Sequence, residues 1–278
     1  MLAAERRDLL LARLRADGKL VARDLARELG LSDDSVRRDL RELAAAGLCQ
    51  RVYGGALPPS EALASYPDRS AVRPGSKARV AARAAALITP GATVILDGGT
   101  TTLAVVRALP PGLPCTVITH SPTIAAALLG HHAADVLILG GRLFRHSAVA
   151  CGAIAAAAAQ AVSADLFLLG VTGVHPDAGL TTGDPEEAAM KRILASRAAD
   201  TYVLASAEKI GAASRYQVVP LTEVAGLVTD APAADPVVAA LTDQGVAIVQ
   251  AHQDSGLRLA ARRVSPARPA GPTRGGGG

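Results

Sequence analysis

The stretch Leu31-Ser32-Asp33-Asp34-Ser35-Val36-Arg37-Arg38-Asp39-Leu40, continued by Arg41-Glu42-Leu43-Ala44, decides how the first part of the chain folds. Val36, Leu40, Leu43 and Ala44 recur at i, i+4, i+7 and i+8, which is one apolar helical stripe. At about 100° per residue, Asp34, Arg38 and Arg41 fall on the opposite face, flanked by Ser35 and Arg37. Ser32 stands where an N-cap stands, and Asp33 and Asp34 occupy a first turn beside the positive end of the helix dipole.

Upstream, Leu10, Leu11 and Leu14 mark one face of a helix that Asp17-Gly18 stops. Lys19-Leu20-Val21 reads as a short strand, and a second helix with Leu25, Ala26 and Leu29 inward closes at Gly30. A helix, the tight turn Gly30-Leu31-Ser32 and a helix with an outward arginine cluster make a helix-turn-helix pattern. Gly47 ends the third helix, and 48–56 reads as a β-hairpin wing with Gly54-Gly55 at its turn or end. The residues this places against double-stranded DNA are Ser32, Asp34, Ser35, Arg37, Arg38 and Arg41 on the helix, with Arg51 and Tyr53 on the wing. An arginine reading guanine through two hydrogen bonds discriminates by about 1–3 kcal/mol. In the alternative reading, Arg37, Arg38 and Arg41 only solvate the helix and pair with Asp33, Asp34 and Glu42.

The chain has 278 residues, room for this small module and a larger one. Half are hydrophobic but only 2% aromatic, which argues against a single-strand binder relying on base stacking. The net charge of +4 is concentrated at the ends. Residues 1–56 hold eleven Lys/Arg against nine Asp/Glu and 252–278 hold five against one, so the middle is slightly acidic. That distribution suits a DNA binder whose body stays off the phosphates. Cys49, Cys115 and Cys151 are far apart, without a CxxC pair, so neither a disulfide framework nor a metal site is expected. Charged Glu5, Arg6, Arg7 and Asp8 stand where a signal peptide would need its apolar core. The longest apolar run, Ala148–Ala159, is far short of the ~20 residues of a membrane span and reads as a buried helix. A soluble cytoplasmic protein without a cofactor is the expectation.

Pro58-Pro59-Ser60 breaks the pattern, and 58–75 reads as a linker with one short helix. From Ser76 the pattern alternates. Lys77–Ile88 and Thr101–Leu109 read as helices. Apolar strands are expected at Thr93–Leu96, Thr116–Ile118, Val136–Leu139, Leu166–Val171, Tyr202–Ala205, Leu227–Val228 and Val246–Val249. This implies an α/β domain with a mainly parallel sheet covered on both faces. Between a strand and a helix lies Asp97-Gly98-Gly99-Thr100-Thr101-Thr102. Glycines admit an anion to the backbone, free N–H groups and the dipole favour phosphate, and three hydroxyls can donate. The turn is neither a Walker loop nor GxGxxG. The resulting organisation is a winged helix-turn-helix over 1–57, a linker over 58–75, an α/β sensor over 76–251, and an Arg/Pro/Gly tail over 252–278 expected to be disordered.

The helix 31–40, with Gly47-Leu48 and Arg51-Val52-Tyr53-Gly54-Gly55-Ala56, resembles the DeoR family of bacterial regulators. Ser35, Val36 and Tyr53 replace that family's usual Thr, Ile and His. The second half resembles its sensor domain through Asp97, Gly99, Thr100, Thr101 and Thr102, through Val117-Ile118-Thr119-His120-Ser121 (His120 for the usual Asn), and through Leu139-Gly140-Gly141, Asp165, Gly170 and Gly173. The resemblance implies a fold like ribose-5-phosphate isomerase and CoA-transferases, and a phosphorylated sugar as effector. It places that effector at Asp97, Gly99, Thr100, Thr101, Thr102, His120, Lys191 and Lys209. It further implies a repressor of a carbohydrate operon, acting as a homo-oligomer, dimer or tetramer, with no catalytic residues. For Glu186 and Glu187 a capping arrangement with Asp184 and Pro185 is the preferred reading, with ligand binding as the alternative. Ser206 stands where the family carries Asp, which together with His120 implies an altered sugar end. Two rivals stay open: a regulator whose pocket senses nothing, and a sugar-phosphate isomerase carrying a DNA-binding appendage.

Overall fold

The computed structural model describes residues 2–52, 54–59 and 66–251. Tyr53 of the wing, residues 60–65 of the expected linker and the tail 252–278 lie outside the described residues.

The N-terminal head comprises α1 (Ala3–Asp17), β1 (Leu20–Val21), α2 (Ala22–Leu29), α3 (Asp33–Ala45), β2 (Gln50–Val52) and β3 (Gly55–Leu57). Strands β2 and β3 pair antiparallel as the wing, and β1 adds to the other edge of β3. The apolar stripe of α3 meets those of α1 and α2: Leu10, Leu14, Leu25, Val36, Leu40 and Leu43 form one buried cluster. Each such leucine contributes about 1.5–3 kcal/mol when fully buried, so this small core sets the crossing of the three helices. Asp39 is only 2% exposed and holds Arg6 of α1 through two hydrogen bonds. It fixes α3 from behind and is not part of the outward face.

Two helices follow, α4 (Tyr66–Ala71) and α5 (Pro74–Ala85). Helix α5 starts three residues earlier than the sequence pattern implied, because Pro74 occupies its first turn, where a missing N–H costs nothing.

The sensor then runs β4 (Thr93–Leu96), α6 (Thr100–Ala108), β5 (Cys115–Thr119), α7 (Pro122–Leu128), β6 (Ala134–Ile138), β7 (Arg142–Phe144), β8 (Val149–Cys151), α8 (Ala153–Gln160), β9 (Ala164–Gly170), β10 (Gly173–His175), β11 (Gly179–Thr182), α9 (Pro185–Ala195), β12 (Ala198–Leu204), β13 (Tyr216–Gln217), β14 (Gly226–Thr229), α10 (Pro236–Asp243) and β15 (Ile248–Gln250). Seven strands form a parallel sheet in the order β15-β14-β12-β9-β4-β5-β6. All seven expected strands are in it. Side chains alternate: Val94, Leu96, Leu166 and Leu168 pack under α5 and α6, while Ile95, Phe167 and Leu169 pack on the other side with Met190 and Leu194 of α9. Two-sided burial is why these strands read as continuous apolar runs. From β4 the chain moves through β5 and β6 to one edge, then returns to β9 and proceeds to the other. The order therefore reverses between β4 and β9, and ligands of such sheets bind beyond the strand ends at that crevice.

The apolar run Ala148–Ala159 is not the single buried helix expected. Val149–Cys151 is strand β8, paired antiparallel with β7, and only Ala153–Gln160 is helical. Gly152, at φ 90°, separates the two. Within α8 the buried positions are Ala155 and Ala159, whereas Ile154 is 75% exposed. Hydropathy alone registers the run but not the change of period inside it.

Candidate DNA interface and effector cavity

Ser32 caps α3, accepting from the Ser35 N–H at 3.3 Å, and its hydroxyl lies 3.0 Å from that of Ser35. Ser32, Asp34, Arg37, Arg38 and Arg41 are exposed, Ser35 is half-buried, and Arg51 is exposed on β2. Two of the carboxylates on α3 are engaged elsewhere, while Asp33 and Asp34 stand exposed in its first turn. Asp39 holds Arg6 and Glu42 pairs with Arg7, both on α1. Among the described residues no ion pair involves Arg37, Arg38 or Arg41, and Arg41 donates only to the Arg37 carbonyl (3.3 Å). A helix with three outward guanidinium groups, next to a wing carrying Arg51, is a surface shaped and charged for a duplex groove.

The cavity forms at the β4/β9 reversal. Asp97, at the end of β4, is fully buried. Its Oδ1 accepts the Gly98 N–H (2.8 Å) and its Oδ2 accepts the Gly170 N–H (2.8 Å) at the end of β9. The same Oδ2 receives the Lys191 ammonium from α9, which also donates to the Gly170 carbonyl (2.9 Å) and lies 3.3 Å from Glu187. Burial alone would draw Lys191 down, but Asp97 and Glu187 outweigh it and hold its pKa above the usual lysine value. Asp97 thus ties two strand ends and one helix together behind the phosphate-type loop.

The loop needs its glycines. A Cβ on Gly98 would lie 2.0 Å from Val149 Cγ1, and Gly99 sits at φ 120° just before α6. The wall of the cavity includes Gly99, Thr100, Thr101 and Thr102, with Lys191 and Lys209. Lys209 comes from a short 3-10 turn (Ala207–Lys209), is 6% exposed, and approaches Thr101 Oγ1 at 3.4 Å. Burial lowers its pKa to about 8; Glu208 pulls upward, and Lys77, Lys191 and Arg69 press it further down. Thr102 and Thr182, both on the wall, carry buried hydroxyls without a partner among the described residues. Buried hydroxyls are normally satisfied, so these two are available to a polar ligand.

Six of the eight residues expected for the effector therefore share one cavity wall. Asp97 and His120 stand behind it. His120 is fully buried 3.6 Å from Asp97, its ring nitrogens without hydrogen bonds among the described residues, and burial holds its pKa below the usual histidine value. Part of the wall comes from residues outside the expected effector set. Glu187 does sit in the first turn capped by Asp184, as expected, but the residue is buried at the cavity, its carboxylate taking a hydrogen bond from Ser147 (3.1 Å) and facing Lys191. Capping explains its backbone and not its side chain. Arg69, Lys77 and Glu208 line the cavity as well, and no motif marked them. Ser206 holds Glu208 through a 2.6 Å hydrogen bond, so a carboxylate is present two positions after the place where the family's Asp would stand.

A helix-turn-helix head and an α/β domain with a charged cavity at its sheet reversal define a two-part transcriptional regulator. The comparisons with known proteins agree on the class. The family model described as DeoR C terminal sensor domain matches residues 73–231, and that for the DeoR-like helix-turn-helix domain matches residues 6–62. The chain belongs to the DeoR family of transcriptional regulators. It is 33% identical to the HTH-type transcriptional regulator GlpR of Haloferax volcanii over 83% of this chain and 91% of that one. It is 30% identical to the HTH-type transcriptional repressor GlcR of Bacillus subtilis (92% and 99%) and 27% identical to the glycerol-3-phosphate regulon repressor of Escherichia coli (88% and 98%). These relatives are regulators and not enzymes. Among solved structures, ribose 5-phosphate isomerase A of Methanocaldococcus jannaschii is similar over 46% of this chain and 50% of that one, at 17% identity and a TM-score of 0.34, too slight a likeness to carry an argument. Among the described residues no helix is long and apolar enough to cross a membrane.

Proposed function

We propose that this chain is a cytoplasmic repressor of a carbohydrate or sugar-phosphate operon, and that a phosphorylated sugar in the cavity lowers its affinity for the operator. The observation that carries the reading is the convergence of the α6 N-terminus, Lys191, Lys209 and two unpartnered buried hydroxyls on one space. The phosphate would take the N–H groups and hydroxyls of Thr100, Thr101 and Thr102 with Lys209 as counter-ion, and Glu187, Glu208 and Thr182 would face the sugar hydroxyls. Asp97 and His120 position the loop from behind. Ser32, Asp34, Ser35, Arg37, Arg38, Arg41, Arg51 and Tyr53 would contact operator DNA. A homo-oligomer, dimer or tetramer, would set two recognition helices on repeated half-sites.

The test is a thermal-shift screen of the full chain against phosphosugars, with Lys209→Ala as control. A ligand at 100 times its dissociation constant adds about 2.7 kcal/mol to stability. A shift with one compound, lost in the control, supports the reading. No shift with any of them would leave a DNA-binding regulator whose cavity senses nothing.

A further inference from the structure

Helix α4 contributes to the lining of the cavity, as its roof, and lies between the head and the sensor in sequence. Arg69 on α4 and Val72 after it line the space together with Lys77 of α5. Arg69 is only 8% exposed. Its guanidinium donates to the His146 carbonyl (3.1 Å) and lies 3.2 Å from His146 Nε2, in the turn between β7 and β8. Lys77 donates back to the Arg69 carbonyl, and Tyr66 donates to Thr123 at the start of α7 (3.1 Å). The roof therefore has two pieces, α4 and the 145–148 turn, joined through Arg69.

Three further observations bear on this roof. The space beneath it is partly open to solvent and small, about 50 Å³, against roughly 300 Å³ or more for ordinary small-molecule sites, so a bound sugar phosphate favours a roof that has shifted outward. Each piece also ends at a non-glycine residue in the left-handed region: Arg73 (φ 41°) between α4 and α5, and Ala148 (φ 53°) beside Ser147, a residue of the cavity wall. Such residues persist where the surroundings force them, and they gather at ligand clamps and switches. Finally, α4 is close in sequence to the head. Only residues 58–65 separate Leu57 of the wing from Tyr66, and Pro59 pairs with Ala213, four residues after Lys209 of the cavity.

We infer that Arg69 is an effector-contacting residue, and that α4 is the strap through which an occupied cavity acts on the DNA-binding head. This rests on the phosphosugar reading of the cavity. An anion at the α6 N-terminus competes with the His146 carbonyl for the guanidinium. A phosphate oxygen is the stronger acceptor, because the bond becomes charge-assisted and can be bidentate. Arg69 leaves His146, α4 turns about Arg73, and the shift reaches the wing, which precedes α4 by eight residues. The ligand shifts the head only by its differential affinity for the two roof positions, and Arg69 is the group that makes that difference.

The experiment uses the full chain. A panel of sugar phosphates and inorganic phosphate is screened by thermal shift, and the dissociation constant of the strongest binder is measured for wild type, Arg69→Gln and Arg69→Lys. Hydrogen–deuterium exchange of residues 66–73 is followed in the wild type with and without that compound. We expect binding at least tenfold weaker in Arg69→Gln, partly restored in Arg69→Lys, and a change in exchange over 66–73 on binding. Wild-type binding with unchanged exchange over 66–73, or unchanged affinity in folded Arg69→Gln, overturns this inference and leaves the phosphosugar reading intact. If no compound binds the wild type, both fall. The exchange arm needs no variant, so an Arg69→Gln that fails to fold does not protect the inference.

Discussion

The outer face of α3 and the wall of the sensor cavity are both rich in cations, and they handle charge in opposite ways. On α3 the arginines stand in water, where an unpaired cation costs little, while Asp39 and Glu42 of the same helix pair with arginines of α1. In the cavity, Lys191, Lys209 and Arg69 are buried, and each is compensated, shifted or both. A surface built for a polyanion that arrives from solvent keeps its charge ready. The cavity instead holds its cations out of water, against buried carboxylates and one another.

Removing the buried counter-charge should give the largest effect. Asp97→Ala leaves Lys191 facing Gly170 with only Glu187 as an anionic partner, and breaking a buried pair costs about 3–5 kcal/mol. Urea unfolding should show that loss, and a loss under 1 kcal/mol would mean that Asp97 does not organise the site. On the exposed side, Arg38→Ala should weaken operator binding by about 1–3 kcal/mol while stability stays within about 0.5 kcal/mol. Gel-shift titration checks it against an operator selected from random DNA, and undiminished affinity would break the assignment of α3. Gly98→Ala should destabilise by about 1–3 kcal/mol through overpacking against Val149. Adding Val149→Ala should return part of that loss in the same unfolding assay.

The pH dependence sharpens the contrast. Lys209 has its pKa lowered to about 8, so it is mostly charged below that pH and mostly neutral above it. Protonated Lys209 attracts a phosphate dianion, so effector affinity should fall as pH rises through 8, by up to about tenfold per unit, while operator affinity, resting on arginines, does not. For stability the sign is the reverse. Between about 8 and the unfolded lysine value the unfolded chain binds more protons, so this group makes the unliganded protein more stable as pH rises. Isothermal titration at pH 7 and pH 9 tests the binding half, and equal affinities at both would remove Lys209 from the anion's contacts. The smallest effect is expected at Ser32→Ala. Its capping bond is long at 3.3 Å and solvent-exposed, so the loss should sit near the low end of cap values, about 0.5 kcal/mol.

Much of the molecule was legible because local rules and tertiary packing agree. The i, i+4, i+7 stripe of α3 is the face that meets α1, and the apolar runs of the seven strands are the two-sided interior of the parallel sheet. What escaped the sequence is instructive by residue. Glu187 had a sufficient local explanation as part of a helix cap, which hid its second role in the cavity. Arg69 lies in a stretch broken by prolines, with no period to say where its side chain goes. The run 148–159 kept its hydropathy while changing from strand to helix at Gly152.

The sequence by itself determined the winged helix-turn-helix, the elements of the parallel α/β domain and the glycine-threonine loop between β4 and α6, because each depends on contacts among residues a few positions apart. Only the tertiary structure decided that the strand order reverses between β4 and β9, that Asp97 joins Gly170 and Lys191, and that Arg69 of α4 lines the cavity beside them. Those facts depend on groups 70 to 95 residues apart in the chain meeting at one point. No local propensity encodes such a meeting, which is set by how the covered faces of the sheet are shared among its helices.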